Sequence, residues 1–237
     1  MERNPCSRAF KRVLAFIITA TVCSGAAFCA DKPKTRITGG SMEIIKGGQQ
    51  VIFLDSAKVI RGENVLMAEK IVQDKKNNVV EAYTNVVFSG LSASGEVING
   101  ESDKARYDMD AEFAELWDGK PKVTYFMRES TGPLVLQADR INMDQAKEQI
   151  SAYGNVIIIS SSGTARSPQA LFLQKERKIV LTGIPQPLLL YGDKGKSDKS
   201  EYKADKITFL LNENKILLEG NVKGKMVSSK GKKTEKR

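Results

Sequence analysis

Residues 138–158 read ADRINMDQAKEQISAYGNVII. This stretch opens with extended residues 138–141 and continues into a polar turn at 144–148. It returns through apolar residues that alternate with other side chains, Ile150, Ala152, Val156 and Ile158. An extended run, a short polar turn and an alternating return predict a β-hairpin.

The same pattern can be laid over the chain at four other places. From Ala204, the stretch ADKITFLLNENKILLEGNV repeats it in register without a gap. Less regular copies begin at Ala68 and Ser167, and the weakest begins at Ser102, where the match slips by one residue near Gly119. Because the copies are unevenly spaced, they predict stacked hairpins with loops of different lengths rather than a strict solenoid.

Turn residues recur between runs rich in Val, Ile, Leu, Phe and Tyr, and no helical stripe is sustained, so the chain is expected to be all-β. In the last hairpin, the spacing puts Ile207 and Phe209 on one face, joined on the return strand by Val222, and Lys206 and Thr208 on the other. A sheet with one dry face must bury it against a second sheet or a lipid. Nothing at either end closes a barrel, which leaves two edges able to pair with another chain.

Residues 1–30 have the three parts of an export signal. Basic Arg8, Lys11 and Arg12 precede an apolar segment at 13–22 and small residues at 24–27. We expect a signal helix that is removed after Ala27 or Ala30. The alternative is an uncleaved membrane anchor, because residues 13–30 are nearly long enough to cross a bilayer. All three cysteines lie in this leader, so the exported chain cannot close an internal disulfide.

Charge is unevenly distributed along the chain. The formal net charge is +9, yet residues 31–222 carry 26 basic and 26 acidic side chains. These residues are expected to form one β domain, and residues 223–237 a basic disordered tail. A domain with no basic excess and no interleaved aromatic residues does not support a nucleic-acid groove.

The residue types needed for most catalytic sites are missing. The chain has no histidine, which excludes a Ser-His-Asp triad and most zinc sites. Two Ser-x-x-Lys matches, at 200–203 and 229–232, lack the helical context and the Lys-Thr-Gly motif of penicillin-binding enzymes. The acidic run Asp108, Asp110 and Glu112 lacks the glycine of a calcium loop and predicts a solvated strand and turn. We therefore expect no enzyme activity, no cofactor and no metal.

Three segments together resemble the LptA/OstA-like family of periplasmic lipopolysaccharide transport proteins. They are DSAKVIRGENVLMAEKI at 55–71, ADRINMDQAKEQISAYGNVI at 138–157 and ADKITFLLNENKILLEGNVKGKMV at 204–227. The resemblance implies a V-shaped β-jellyroll over residues 31–222, located in the periplasm. It also implies that the lipid A acyl chains of lipopolysaccharide lie in an apolar groove.

The family's jellyrolls stack head to tail through their terminal strands and bridge the inner and outer membranes. The implied partners are therefore further copies of this chain and LptC-like and LptD-like β-jellyroll domains, paired by edge strands. An LptC-like membrane-anchored relative, a ligand-free structural β-solenoid and a carbohydrate-active β-helix enzyme stay open as alternatives.

The expected groove positions are inward-facing residues of the predicted strands. Core packing alone would also account for their apolar character. They are Phe53, Ile71, Val86, Phe88, Tyr107, Ile141, Met143, Ile150, Ile158, Phe172, Phe209 and Leu218.

Overall fold

A computed structural model describes residues 34–92, 94–128, 132–161, 163–192 and 199–227. Within these ranges the chain forms eighteen β-strands and a three-residue 3-10 turn at Lys46–Gly48. The strands are β1 Thr35–Thr38, β2 Ser41–Ile45, β3 Gln50–Arg61, β4 Asn64–Asp74, β5 Val79–Leu91, β6 Val97–Asp108, β7 Phe113–Trp117, β8 Lys122–Phe126, β9 Leu134–Gln137, β10 Arg140–Asp144, β11 Gln149–Ser160, β12 Gly163–Leu173, β13 Lys178–Thr182, β14 Leu188–Tyr191, β15 Lys199–Lys203, β16 Lys206–Leu210, β17 Lys215–Glu219 and β18 Lys223–Val227. The expected all-β fold is confirmed, and the leader at 1–30 lies outside the described residues.

Each of the five sequence copies forms an antiparallel hairpin closed by a four-residue turn. The last turn residue adopts a left-handed conformation each time, with φ between 47° and 53°, at Asn78, Glu112, Glu148, Arg177 and Asn214. From the second turn onward, the first N–H donates to the last carbonyl of the preceding turn, as from Gln174 to Glu148 at 3.0 Å. The turns therefore form a continuous row, which we call the turn rim.

Six long strands take part in two sheets. One sheet contains the turn rim and has the order β2–β3–β4–β5–β6–β7–β10–β11–β12–β13–β16–β17. The other has the order β1–β3–β4–β5–β6–β8–β9–β11–β12–β14–β15–β18. Its free rim is formed by the ends of β3, β5, β8, β11 and β14 and the described residues next to them, and we call it the loop rim.

Three of the six long strands, β3, β5 and β11, pass from one sheet to the other at a corner of two consecutive residues with positive φ. In β11 the corner is Gly154 and Asn155, with φ of 74° and 45°. The Asp139 N–H donates to the Gly154 carbonyl at 3.0 Å, and the Asn155 side-chain amide donates to the Asp139 carboxylate at 2.9 Å. The repeated Ala-Asp and Gly-Asn pairs of the sequence are therefore the two halves of one corner, with Ala138 buried behind it.

The corner also explains the slip in the copy that begins at Ser102. Three successive residues, Asp118, Gly119 and Lys120, have positive φ there, where Gly154 and Asn155 make the equivalent corner in β11. One additional left-handed residue shifts the following strand by one position, which is the offset seen in the sequence.

The two sheets enclose one apolar core, and their outer faces carry cross-strand ion pairs such as Lys122–Glu101 at 2.7 Å. The expected alternation holds for Ile207 and Phe209, which are buried. It fails at Thr208, which is only 3% exposed because Val180 and Leu217 flank it on the outer face. It also fails at Val222, which is 51% exposed because it follows the corner of the last copy.

Regular structure continues past residue 222, where the sequence suggested that the domain ends. Lys223–Val227 forms β18 and pairs with β15, so the first part of the basic segment belongs to the sheet. The lysines at alternate positions of this strand point to solvent. The composition of the segment therefore does not indicate a strand. The rest of the expected tail, residues 228–237, lies outside the described ranges. In the described part of the chain no helix is long and apolar enough to cross a membrane.

Replacing Gly154 with Ala should destabilise the fold by about 1–2 kcal/mol, because a Cβ is disfavoured at positive φ. The added Cβ would also lie 2.3 Å from a carboxylate oxygen of Asp139, so the corner must shift. Urea unfolding followed by circular dichroism measures the change. Gly132→Ala is the control, since no atom lies within 4 Å of its added Cβ. Equal stability of the two variants would contradict this role for the corner.

Candidate functional site

A cavity of about 310 Å³ lies between the two sheets in the N-terminal half of the domain. We call it the first cavity. Its walls are mostly apolar, and polar groups occur where the turn rim and loop rim approach each other, as at Arg61 and Gln145. Its volume is within the range of small-molecule sites in proteins. The apolar lining includes Val59, Leu66, Val80, Phe88, Leu91, Ile98, Leu116 and Met143.

A second cavity of about 340 Å³ lies further along the chain, with Met127, Phe209, Leu211 and Ile216 in its wall. Between the two cavities the interior narrows to a space of about 10 Å³. Tyr125 and Phe172 line this constriction and meet edge to face, with ring centroids 5.1 Å apart. The interior therefore contains two cavities separated by packed side chains, of which the first is mostly apolar and the second also has polar residues such as Asn212 and Lys215 in its wall.

All twelve residues expected in the groove belong to the apolar core or pack against it. Phe88, Tyr107 and Met143 line the first cavity, and Phe209 lines the second. Ile150, Ile158 and Phe172 line the constriction. The structure places the remaining five in the packed parts of the core, away from these three spaces, and they are Phe53, Ile71, Val86, Ile141 and Leu218.

At the N-terminal end of the first cavity, Arg61 reaches from the loop rim to the turn rim. Its Nη1 donates to the Tyr107 hydroxyl at 3.3 Å and to the Met109 carbonyl at 3.2 Å. The guanidinium carbon also lies 5.8 Å from the centroid of the Tyr107 ring. This contact gives the first cavity a polar, cationic boundary at its mouth.

A buried carboxylate joins the rims at the other end of the first cavity. Glu96, on the loop rim, is 2% exposed. Its Oε1 accepts a hydrogen bond from Arg177 Nη2, on the turn rim, at 2.9 Å. Its Oε2 accepts from the Tyr125 hydroxyl and from Ser94 Oγ, the latter at 3.2 Å. We call the group Glu96, Arg177 and Tyr125 the Glu96 clasp.

The environment of the clasp keeps Glu96 ionised. Burial by itself raises the pKa of this carboxyl group. Hydrogen bonds from the Tyr125 hydroxyl and the Arg128 N–H, together with the positive charge of Arg177, outweigh burial and leave the pKa below its ordinary value. Burial and the bond to Glu96 raise the pKa of Tyr125, so its hydroxyl stays protonated and donates.

The site residues predicted from the sequence do not include Glu96, Arg61 or Arg177. Glu96 lies in a turn-like SGEV stretch, where a glutamate is usually solvated. Arg177 occupies the last position of its turn, which holds Asn in two of the other copies and Glu in two, and this departure is the one available sequence signal. The acidic run at Asp108 stabilises its turn, because Asp108 Oδ1 accepts the N–H groups of Asp110 and Ala111.

Residues 36–149 match the family model described as LptA/(LptD N-terminal domain) LPS transport protein. Among solved structures, the chain is similar to LptH from Pseudomonas aeruginosa, described as the LptA homologous periplasmic component of the lipopolysaccharide transport device. That similarity has 15% sequence identity and a TM-score of 0.47, over 54% of this chain and 94% of LptH. A search of curated proteins found no match.

Replacing Glu96 with Gln should make the free energy of unfolding less dependent on acid pH. Because the folded-state pKa of Glu96 lies below the ordinary value of 4.5, its stabilising contribution is complete above that pH. The contribution is lost as the pH falls through the lower folded-state pKa. Urea unfolding between about pH 5 and pH 3 should therefore show a steeper decline for the wild type than for the variant.

Glu101→Gln is the matched control, because Glu101 forms its ion pair with Lys122 on the exposed outer face. This variant should keep the wild-type slope. If Glu96→Gln also kept it, the ionised form of Glu96 would not be what the clasp stabilises.

Proposed function

We propose that this chain is a periplasmic carrier of lipopolysaccharide. The match of residues 36–149 to the family model described as LptA/(LptD N-terminal domain) LPS transport protein supports this proposal. In this proposal the apolar compartments hold the acyl chains of lipid A, and the polar part of the lipid stays in water outside the rims. The chain thereby contributes to a bridge between the inner and outer membranes.

The observation that carries the proposal is an apolar cavity between two sheets whose rims are joined by side chains rather than by continuous backbone pairing. Burying an acyl chain stabilises its complex by about 0.8 kcal/mol per methylene removed from water. A chain of ten buried methylenes therefore gains about 8 kcal/mol before the losses of freedom on binding are subtracted. Side-chain contacts between the rims can open without unfolding either sheet.

The alternative functions differ in the role that they assign to the first cavity. A ligand-free structural solenoid would be expected to fill an apolar space of this size with side chains, since protein cores are normally close-packed. An enzyme would need reactive groups facing the substrate, whereas the described walls of the first cavity are mainly aliphatic and aromatic. An LptC-like anchored relative would hold lipid in the same way and would differ in the fate of residues 1–30.

The terminal strands support pairing with similar domains. Among the described strands, β1 and β2 each pair with β3 alone at one end of the domain. At the other end, β17 pairs with β16 alone and β18 with β15 alone. Of these edge strands, β2 and β18 present apolar side chains to solvent, with Ile44 60% and Met226 76% exposed. An unpaired strand edge beside exposed apolar residues suits β-strand addition. We therefore propose head-to-tail pairing, with further copies or with LptC-like and LptD-like β-jellyroll domains.

A photo-crosslinking residue at Phe88 should capture lipopolysaccharide in cells, because this side chain lines the first cavity. Position 209 should capture it as well, since Phe209 lines the second cavity. The products are detected by a mobility shift that reacts with antibody to lipopolysaccharide.

Val87 is the control position for Phe88, because it directly precedes Phe88 in β5, points to the outer face and is 40% exposed. It should capture protein or nothing. Equal capture of lipopolysaccharide from positions 87 and 88, or capture from neither 88 nor 209, would contradict the carrier function.

Replacing Ile44 with Lys should weaken self-association by about tenfold, the effect of 1.4 kcal/mol, because a charge must then be buried in the joint. Sedimentation velocity over a range of protein concentrations measures the change. The control is Ile159→Lys, at an exposed position in β11, which is paired with strands on both sides. If both variants weakened association equally, or neither did, head-to-tail pairing through β2 would be wrong.

A further inference from the structure

The Glu96 clasp lies at the boundary between the two cavities. Ser92 and Gln174, close to Glu96 and Arg177 in the chain, line the first cavity. Arg177 itself and Met127 line the second. Directly below, the edge-to-face pair Tyr125 and Phe172 fills the interior. A ligand that moved from one cavity to the other would have to pass this point.

A single carboxylate couples the contact between the rims to the filling of the core. One oxygen of Glu96 binds Arg177 and the other binds the hydroxyl of Tyr125, whose ring is 2% exposed. The tyrosine ring is thus held against Phe172 from the same group that holds the rims together. Release of the ion pair would remove the anchor of the Tyr125 hydroxyl as well, so the rims and the ring pair are expected to open together.

The clasp is also suited to reversible opening. The side chain of Arg177 is 24% exposed, so water can replace the carboxylate as its partner. Glu96 is buried and would gain hydration when the rims separate, which offsets part of the Coulomb energy that is lost. The strands themselves need not break, because each sheet keeps its own backbone hydrogen bonds.

We propose that Glu96, Arg177 and Tyr125 form a gate between two acyl-chain compartments. A multi-acyl lipid passes from the first cavity to the second only when the ion pair opens and the Tyr125 ring leaves Phe172. This inference rests on the proposed carrier function and adds to it that transport through the domain occurs in two steps, with the clasp closed before and after each passage.

The test uses an aliphatic diazirine photo-crosslinking residue at Ile158, which lines the constriction. The full chain is loaded with purified lipopolysaccharide, and capture at position 158 is compared with capture at position 88. In the wild type, the closed gate should make capture at 158 low relative to 88.

The double variant Glu96→Gln/Arg177→Met removes the ion pair without leaving an unpaired buried charge. It should raise the ratio of capture at 158 to capture at 88 by about tenfold, as expected for a gate equilibrium that shifts toward the open form. The matched control is Glu101→Gln/Lys122→Met, which makes the same change in an outer-face ion pair. This control should leave the ratio unchanged.

Tyr125→Phe is a milder variant that keeps the ring and the ion pair but removes the bond between them. It should also raise the ratio, and it keeps the test decisive if the double variant does not fold. An unchanged ratio in the folded gate variants, with strong capture at 88, would overturn the gate and leave the carrier function standing. Loss of capture at both positions in the wild type would instead overturn the carrier function itself.

Discussion

The fold depends on corners at which consecutive residues of a strand adopt left-handed conformations. At Gly154 and Asn155, positive φ values turn β11 so that its two halves join different sheets, and Gly220 and Asn221 make the same turn between β17 and β18. The aspartate just before β10 or β16 accepts a side-chain hydrogen bond at each of these corners, Asp139 from Asn155 at 2.9 Å and Asp205 from Asn221 at 2.8 Å. Without such turns the long strands would form one extended sheet with an apolar face in water. In this arrangement, each of the six long strands contributes to both walls of the same interior.

Repetition of this corner has a geometric consequence for the site. The five hairpin turns of the repeated copies fall on the turn rim, and the described ends of β3, β5, β8, β11 and β14 fall on the loop rim, so backbone pairing continues within each sheet and not between the rims. What crosses from rim to rim is side chains, at Arg61 and at Glu96. Such contacts can be exchanged for water at a modest free-energy cost, whereas breaking a strand pair would expose many backbone groups at once. The rims can therefore separate where these side-chain contacts open, which the continuous backbone pairing of a closed barrel does not allow.

Much of the fold could be predicted because the corner leaves a pattern in the sequence. Ala-Asp and Gly-Asn at a fixed separation marked the hairpins, and alternation identified inward residues such as Ile207 and Phe209. Thr208 and the strand at 223–227 could not be predicted, since their burial and pairing come from neighbours distant in the chain. The division of the interior into two cavities could not be predicted from the sequence either. Alternation shows that Tyr125 and Phe172 are compatible with facing inward, but only the three-dimensional arrangement shows that they meet and fill the space between two cavities.

The Glu96 clasp could not be predicted from sequence patterns either. It is also the place where the interior departs from ordinary apolar core packing. A uniformly apolar interior would be the more stable way to fill the constriction, because burying a charge costs solvation that its partners only partly restore. Glu96 is buried nonetheless, and it contacts the two groups whose release would open the rims and the ring pair together. Arg177 occupies the last position of its turn, where the other copies have Asn or Glu. All five residues adopt the same left-handed conformation. The repeat alone therefore does not require an arginine at position 177. The ion pair of Arg177 with Glu96 is the interaction that does.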